Sequence, residues 1–285
     1  MAVVILRDLA DDGLHTPTIK LHSLDKIRLH NYYVSIFATA MRDKWAQLAY
    51  LGLYSGAGRA RIEDSGEIVE TTALGALRVA HPFTKYIFVD NDPSCIEALR
   101  GRIGALSGDY DVELVQRDVA QAVPDVLAAM PTFTRERGLL SFCFIDPFSA
   151  ALDFNVIREL GSRYRMDFLI LLMLGQDVRL NFRQYFEDPA DERIGRLVDD
   201  AEWREEWRSL GLQPKDLISF VLDKFDAAMA RLGYQEARRE EAHPIRIPGK
   251  RVFLYSLVLY SKDPLARKFW KAARFGVDPQ LGLQL

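Results

Sequence analysis

The sequence predicts an α/β fold in which a doubly wound, mostly parallel sheet is covered by helices. Short apolar runs alternate with helical segments through the first half of the chain. These runs are apolar on both faces, which is typical of strands in a parallel sheet that helices cover on both sides. Near Gly175 the rhythm changes to charged helical segments, which indicates a helical insert.

The elements follow one another in a regular order. An amphipathic helix comes first, with Ser23 as its predicted cap and apolar residues from Ile27 to Met41. The predicted strands are AYLGLYS, YIFVD, VELVQ, LLSFCFID and MDFLILLML, and the helices between them are TTALGALRVA, NDPSCIEALRGRIGAL, VPDVLAAM and NVIREL. Thr71 or Thr72 is expected to cap the first of these helices, and Asn91 or Asp92 the second.

The second half of the chain completes the sheet. The segments YQEARREEAHPIRI and RVFLYSLVLYS predict an antiparallel hairpin at a sheet edge, followed by a short helix in DPLARKFWKAARFG. We divide the chain into an N-terminal helical extension (1–48), a Rossmann-like cofactor-binding core (49–175), a helical insert (176–233) and a C-terminal hairpin and helix (234–285) that complete the core.

Composition narrows the class of protein. The chain has 285 residues, 49% hydrophobic and 27% charged, with a net charge of −3, which is ordinary for a globular protein and gives no overall attraction to nucleic acid or membrane. Two cysteines, Cys95 and Cys143, do not make a disulfide framework and predict a reduced, cytoplasmic protein. The N-terminus does not resemble a signal peptide, and the longest apolar run, Phe168–Leu174, is too short to span a bilayer.

Glycines or carboxylates follow four of the predicted strands. The first strand ends in Ser55-Gly56-Ala57-Gly58, the second in Asp90-Asn91-Asp92, the third in Arg117-Asp118 and the fourth in Asp146-Pro147-Phe148. Ligands of open α/β sheets bind at the carboxyl ends of the strands. The four ends together predict a nucleoside-like ligand across the switch point of the sheet.

The glycine turn lacks the third glycine of a dinucleotide fingerprint, because Arg61 stands in its place. The residues from Arg59 to Gly66 are expected to form a polar loop, and not the helix start that cradles a pyrophosphate. This disfavours a nicotinamide oxidoreductase and favours S-adenosylmethionine, which has a ribose but no phosphate.

Each predicted cofactor contact has a plain alternative. The glycines would pass under the methionine moiety, Asp90 would accept hydrogen bonds from the ribose hydroxyls, and Asp118 would accept from the adenine amino group. The alternatives are an ordinary tight turn, a helix-capping carboxylate at Asp90 and a solvated loop acid at Asp118. The predicted cofactor-binding residues are Tyr54, Ser55, Gly56, Gly58, Asp90, Asn91 and Asp118.

The segment FIDPF indicates a catalytic site. Asp146 would accept a hydrogen bond from a target amino group, Pro147 would fix the backbone, and Phe148 would stack on a target base. The alternative is a strand that ends at Asp-Pro and is followed by a buried phenylalanine.

These motifs resemble those of known families. LYSGAGR is similar to the F/Y-x-G-x-G motif of class I methyltransferases, and IDPF to the D/N-P-P-F/Y motif of amino methyltransferases. From about Lys20 to Ala272 the chain resembles the three-Cys-motif partner family, TcmP, in YSGAGR, IFVDNDP, RDV, FIDPF and LYSLVLYSKDPLARKFW. The resemblance implies a Rossmann-like class I methyltransferase fold, S-adenosylmethionine as cofactor, and a partner with a three-cysteine motif that is similar to a radical-SAM-type iron–sulfur protein.

Two departures from these patterns keep two functions open. Gly52 stands where many relatives of the fold have an acid, in D-x-F-x-G, and the DPF segment has one proline. The first function is methylation of an amino group on a nucleobase of DNA or RNA. The alternative is a catalytically weak or inactive subunit of the iron–sulfur partner.

Other signals are less specific. Gln176, Asp177, Arg179 and Asn181 follow the fifth strand and indicate either a substrate entrance or a hinge. Basic residues near the C-terminus would contact phosphates if they shared a face, and otherwise form a solvated helix face; they are Arg246, Lys250, Arg251, Lys262, Arg267, Lys268, Lys271 and Arg274. The five histidines have no metal-binding spacing, so no metal site is predicted.

Overall fold

A computed structural model describes residues 8–134, 138–237, 239–250 and 252–277, which include two sheets. The strands are β1 (Thr18–Ile19), β2 (Gln47–Leu53), β3 (Arg59–Ile62), β4 (Ile68–Glu70), β5 (Lys85–Asp90), β6 (Val112–Gln116), β7 (Leu139–Ile145), β8 (Met166–Leu172), β9 (His243–Arg246) and β10 (Phe253–Tyr260). Seven of them form the central sheet in the order β6-β5-β2-β7-β8-β10-β9, and β1, β3 and β4 form a small second sheet.

Helices cover the central sheet on both faces. They are α1 (Ser23–Met41), α2 (Thr72–Leu77), α3 (Pro93–Gly104), α4 (Val123–Ala129), α5 (Phe154–Arg163), α6 (Arg179–Glu187), α7 (Arg193–Val198), α8 (Trp203–Ser209), α9 (Leu217–Arg231) and α10 (Pro264–Val277). A π-helical turn, Leu174–Val178, joins β8 to α6. None of the helices described is both long and apolar enough to cross a membrane.

The strand order assigns the fold. The strands β6, β5, β2, β7 and β8 pair in parallel, β10 runs antiparallel to β8, and β9 runs antiparallel to β10. The chain order turns back between β2 and β7, which is the switch point where a doubly wound sheet binds ligands. This mixed sheet with a C-terminal antiparallel hairpin is the Rossmann-like methyltransferase fold, and the predicted fold class is confirmed.

Two apolar cores lie on the two faces of the sheet. Aromatic rings from β2 and β7, among them Tyr50 and Phe142, pack under α1, α2 and α10, where Trp270 is buried. On the other face, Trp203 and Phe225 of the helical segment after β8 belong to the same core as α4 and α5. The tryptophans therefore serve packing, and the helices after β8 share the core of the sheet.

The predicted helix caps are correct only in part. Asp92 caps α3, where its carboxylate accepts a hydrogen bond from the backbone N–H of Ser94 at 2.8 Å. Ser23 does not cap α1, since it is already helical and follows the cap position at His22. Thr71 holds the cap position of α2 but makes no side-chain capping hydrogen bond.

The prediction of a polar loop after the glycine turn is wrong for the residues Arg59–Ile62. Residues Arg59–Ile62 form β3, in which Ala60 and Ile62 are buried while Arg59 and Arg61 point outward to acidic partners. The short strand is hard to predict from the sequence because its alternation of charged and apolar residues covers only four positions. The chain then returns through β4, and the N–H of Thr71 donates to the carbonyl of Gly58 at 2.8 Å, so α2 begins beside the glycine turn after all.

A buried arginine fastens the N-terminal segment to the core. The side chain of Arg102 in α3 is 2% exposed and donates to both carboxylate oxygens of Asp12 at 2.8 Å. It also donates to the carbonyl of Ala57 in the glycine turn at 2.7 Å and to the hydroxyl of Thr16 at 2.7 Å. The hydrogen bond from Arg102 holds the pKa of Asp12 well below its usual value. Residues 12–16 are thus tied to the back of the glycine turn.

The substitution Arg102→Met is expected to lower the free energy of unfolding by about 3 kcal/mol. It leaves the Ala57 carbonyl without this donor and Asp12 without its main counter-charge. The measurement is equilibrium unfolding in urea, with Arg100→Met as the matched control, because Arg100 is exposed on the same helix.

The pH dependence of the two variants supplies a second check. The depressed pKa of Asp12 means that the ion pair stabilises the wild type above about pH 4 and loses its effect as the pH falls through the pKa of the folded state. Arg102→Met should therefore lose less stability than Arg100→Met on acidification. Equal stability of the two variants would contradict this role for Arg102.

Candidate active site

The predicted site residues lie along one edge of the central sheet. The neighbouring parallel strands β5, β2 and β7 end at Asp90, Leu53 and Ile145, so the predicted residues lie at these strand ends or directly after them. The structure therefore brings the glycine turn, the carboxylate of Asp90 and the segment from Asp146 to Phe148 to the switch point.

The glycine turn requires its glycines for two different reasons. Gly56 and Gly58 have φ angles of +63° and +80°, and Tyr54 before them also has a positive φ. A Cβ on Gly56 would meet no atom within 4 Å, whereas a Cβ on Gly58 would lie 2.8 Å from Leu99 and 2.9 Å from Leu74. The absence of a side chain at Gly58 thus lets α2, which carries Leu74, and α3, which carries Leu99, pack against the turn. Gly56 leaves open space next to the backbone.

Asp90 is buried and holds the turn in place. One carboxylate oxygen accepts from the N–H of Gly56 at 2.7 Å, and the other accepts from the N–H of Asp92 at 3.0 Å. The helix cap is Asp92 and not Asp90, so the capping alternative for Asp90 does not hold. A carboxylate oxygen offers two acceptor sites, and each Asp90 oxygen therefore retains one for a ligand.

Tyr54 lies near several acidic residues at this end of the sheet. Burial raises the pKa of its phenol, and the nearby charges of Asp118, Asp153 and Asp90 raise it further. Asp118 itself is exposed, and its carboxylate accepts a hydrogen bond from the N–H of Ala120 at 2.9 Å. This geometry is compatible with the alternative of a solvated loop acid. The phenol therefore lies near Asp90 at the end of β5, near Asp118 after β6, and near Asp153, which caps α5.

Two further residues of the predicted set differ in exposure. Ser55 has a buried hydroxyl that finds no hydrogen-bond partner among the described residues, although its N–H donates to the carbonyl of Val89 at 2.9 Å. Asn91 is exposed. A buried hydroxyl without a partner is costly.

Asp146 is bound by a lysine that the sequence did not reveal. The ammonium of Lys26 in α1 donates to both carboxylate oxygens, at 2.8 and 2.6 Å, and the two side chains are only 16% and 18% exposed. The two residues lie 120 positions apart, so no local spacing pairs them. The carboxylate predicted to hold a substrate amine is thus already engaged by a cation.

The two residues after Asp146 differ sharply in exposure. Pro147 is buried, whereas Phe148 is 86% exposed. The alternative of a buried phenylalanine after the strand is therefore wrong. An exposed ring next to a carboxylate is suited to stacking on a planar group.

Asp177 is hydrogen-bonded to the segment that follows Phe148. Its buried carboxylate accepts from the N–H of Ala150 at 2.5 Å, the side chain of Asn181 at 2.6 Å and the hydroxyl of Tyr185 at 2.6 Å. Of the residues predicted as substrate entrance or hinge, Asp177 and Asn181 are thus loop anchors, and Arg179 is exposed.

Gly52 has no room for the acid of the D-x-F-x-G pattern. A Cβ there would lie 2.9 Å from the ring of Phe88 and 3.3 Å from that of Tyr50. An aromatic layer on this face of the sheet fills the volume that a longer side chain would need.

The basic residues near the C-terminus do not share one face. Arg246, Lys250 and Arg274 line a cavity together with Arg28 of α1. Arg267 pairs with Glu241 at 3.1 Å, and Lys262 donates to the carbonyl of Gly161 at 2.9 Å. Lys268 and Lys271 are exposed on α10, and Arg251 lies outside the described residues.

Among the described residues, three possible metal ligands lie close together, although the histidines have no metal-binding spacing in the sequence. Ligand atoms of His15, Asp92 and Cys95 lie within 4.8 Å of one another. Burial raises the pKa of the Cys95 thiol to about 12, which favours the protonated form, and Asp92 already caps α3. The cluster comes from the N-terminal segment folding over α3, which no histidine spacing could indicate.

Comparison with known proteins adds distant similarities of fold. No family model matches the chain, and no curated protein matches it. Among solved structures it is similar to a protein from Legionella pneumophila (10% identity, 89% of this chain and 92% of that chain, TM-score 0.48), an O-methyltransferase from Bacillus cereus in complex with SAH (8%, 85% and 87%, TM-score 0.43) and Trm1 from Pyrococcus horikoshii with S-adenosyl-L-methionine (10%, 86% and 57%, TM-score 0.39). The strand order of the sheet, and not these similarities, assigns the fold.

The two roles of the glycines can be separated by substitution. Gly58→Ala is expected to lower the free energy of unfolding by about 2 kcal/mol more than Gly66→Ala, because both residues have positive φ but only Gly58 would place its Cβ against neighbouring side chains. Urea unfolding of the two variants measures the difference. Equal losses would mean that the helices do not need the close approach at Gly58.

Proposed function

We propose that this protein is an S-adenosylmethionine-dependent methyltransferase that methylates an amino group on a nucleobase of DNA or RNA. The observation that supports it most is the meeting of the glycine turn, the buried Asp90 and the Asp146–Phe148 segment at the switch point of a methyltransferase fold. S-adenosylmethionine, when bound, supplies an electrophilic methyl group.

The residues at the first two strand ends fit this cofactor. The open space at Gly56 admits a ligand close to the backbone, and the buried hydroxyl of Ser55 lacks a partner among the described residues. The remaining acceptor sites of Asp90 suit the two hydroxyls of a ribose. Tyr54 and Asn91 would border the nucleoside, and the exposed Asp118 would accept from the adenine amino group.

The substrate would approach the end of β7. Asp146 would accept a hydrogen bond from the target amino group and orient its lone pair, and Phe148 would stack on the base. Because Lys26 contacts both oxygens of Asp146, the amino group must share one oxygen with the ammonium or displace it. No general base is needed if the proton leaves after the methyl group has transferred, so the work of these residues is positioning.

A second function is favoured by two observations at the same edge. The acid expected at Gly52 is replaced by aromatic packing, and Asp146 is neutralised by Lys26. Both would suit a weak or inactive subunit of a three-Cys-motif iron–sulfur partner, as the TcmP resemblance implies.

Isothermal titration with S-adenosylmethionine tests the cofactor. We expect micromolar binding by the wild type and at least about tenfold weaker binding by Asp90→Asn, because the amide would turn a donor toward the N–H of Gly56 or Asp92. Asp109→Asn, at an exposed position, is the control. Absence of binding by the wild type would refute the proposal.

Methyl transfer itself separates the two functions. With S-adenosylmethionine carrying a tritiated methyl group, and with total RNA and genomic DNA as acceptors, Asp146→Ala should abolish incorporation while leaving cofactor binding intact. The exposed Asp64→Ala is the control and should retain wild-type transfer. Cofactor binding without transfer by the wild type would favour the subunit function.

A further inference from the structure

A cationic cavity lies beside the first turns of α1. Its volume is about 630 Å³, and residues of α1, β9, the turn after β9 and α10 line it. Four basic side chains, Arg28, Arg246, Lys250 and Arg274, face a single carboxylate among the described lining residues, that of Asp25. In a chain with a net charge of −3, this is a local concentration of positive charge.

These cations are only weakly neutralised by the protein. Arg28 and Asp25 approach no closer than 3.8 Å, and both side chains are about half exposed. In the parts of the chain that the structure describes, neither Arg246 nor Lys250 forms an ion pair, and both are exposed.

Arg274 is the most enclosed of the four. Its Nε is buried and has no acceptor within the described ranges. Burial lowers the pKa of this guanidinium, and the charges of Glu241 and Glu240 only partly oppose that effect. Arg274 thus brings to the cavity lining a guanidinium whose Nε is unsatisfied, and guanidinium groups favour phosphate oxygens as partners.

The cavity opens at the same edge of the sheet as Asp146. Because β10 runs antiparallel to β8 and begins at Phe253, the turn between β9 and β10 lies at the carboxyl ends of the parallel strands. On α1, Asp25 of the cavity is next to Lys26, which holds Asp146. Burial, Asp146 and Asp25 each raise the pKa of the Tyr255 phenol in β10, so Asp25 of the cavity and Asp146 lie near the same side chain.

We propose that this cavity binds backbone phosphates of a nucleic-acid strand whose target base reaches Asp146. The inference rests on the proposed function and adds the part of the protein that contacts the strand. Guanidinium groups match phosphate oxygens in pairs, and the exposed ring of Phe148 offers the stacking surface that single-stranded nucleic acids use.

Fluorescence anisotropy with a fluorescein-labelled single-stranded RNA and its DNA equivalent tests the cavity. The double variant Arg246→Gln/Lys250→Gln should bind roughly tenfold more weakly, and its slope of log K against log salt concentration should be shallower by about 1.4. The matched control is Lys268→Gln/Lys271→Gln, which removes the same charge from the exposed face of α10 and should bind as the wild type does.

The outcomes are distinct. Unchanged affinity and salt slope in the cavity variant, a loss confined to the α10 control, or no strand binding by the wild type would each overturn the proposal. If inorganic phosphate, measured by calorimetry, bound as tightly as the labelled strand, the strand would be overturned as the source of the phosphate. S-adenosylmethionine titration of the same variants shows whether the cofactor site is intact, so failure of the cavity is distinguishable from failure of the proposed function.

Discussion

The ion pair between Lys26 and Asp146 fixes how the N-terminal helix sits on the sheet. Both side chains are more than four-fifths buried, and the contact joins the start of α1 to the end of β7. In the same turn, Leu24 and Ile27 pack on Ile62 and Val69 of the small sheet. Since removing one partner of a buried pair leaves a charge without compensation, this contact adds to the apolar packing that positions α1.

That position determines what surrounds the candidate site. The turn of α1 that carries Lys26 to Asp146 also carries Arg28 to the cationic cavity. The position of α1 therefore affects both Asp146, through Lys26, and the cationic cavity, through Arg28. The two proposals depend on different side chains but on one placement of α1.

The features that could be predicted from the sequence are those that follow from the order and direction of the strands. Apolar runs fix parallel strands, and parallel strands bring their carboxyl ends to one edge, so the proximity of Gly56 and Asp90 follows without further information. The position of a covering helix depends instead on packing between distant segments. Lys26 with Asp146 and Arg28 with Arg246 were for that reason beyond prediction, as was β3, whose alternation is only four residues long.

The exposed ring of Phe148 lies between two hydrogen-bonded segments of the chain. Before it, Asp146 is held by Lys26, and its N–H donates to the carbonyl of Leu53 at 3.3 Å; after it, the N–H of Ala150 donates to the buried Asp177. Both flanks of the exposed ring are therefore hydrogen-bonded to the rest of the fold. A planar group that stacks there would meet a surface whose backbone is already ordered, so binding would cost less conformational entropy than folding a free loop around the ligand.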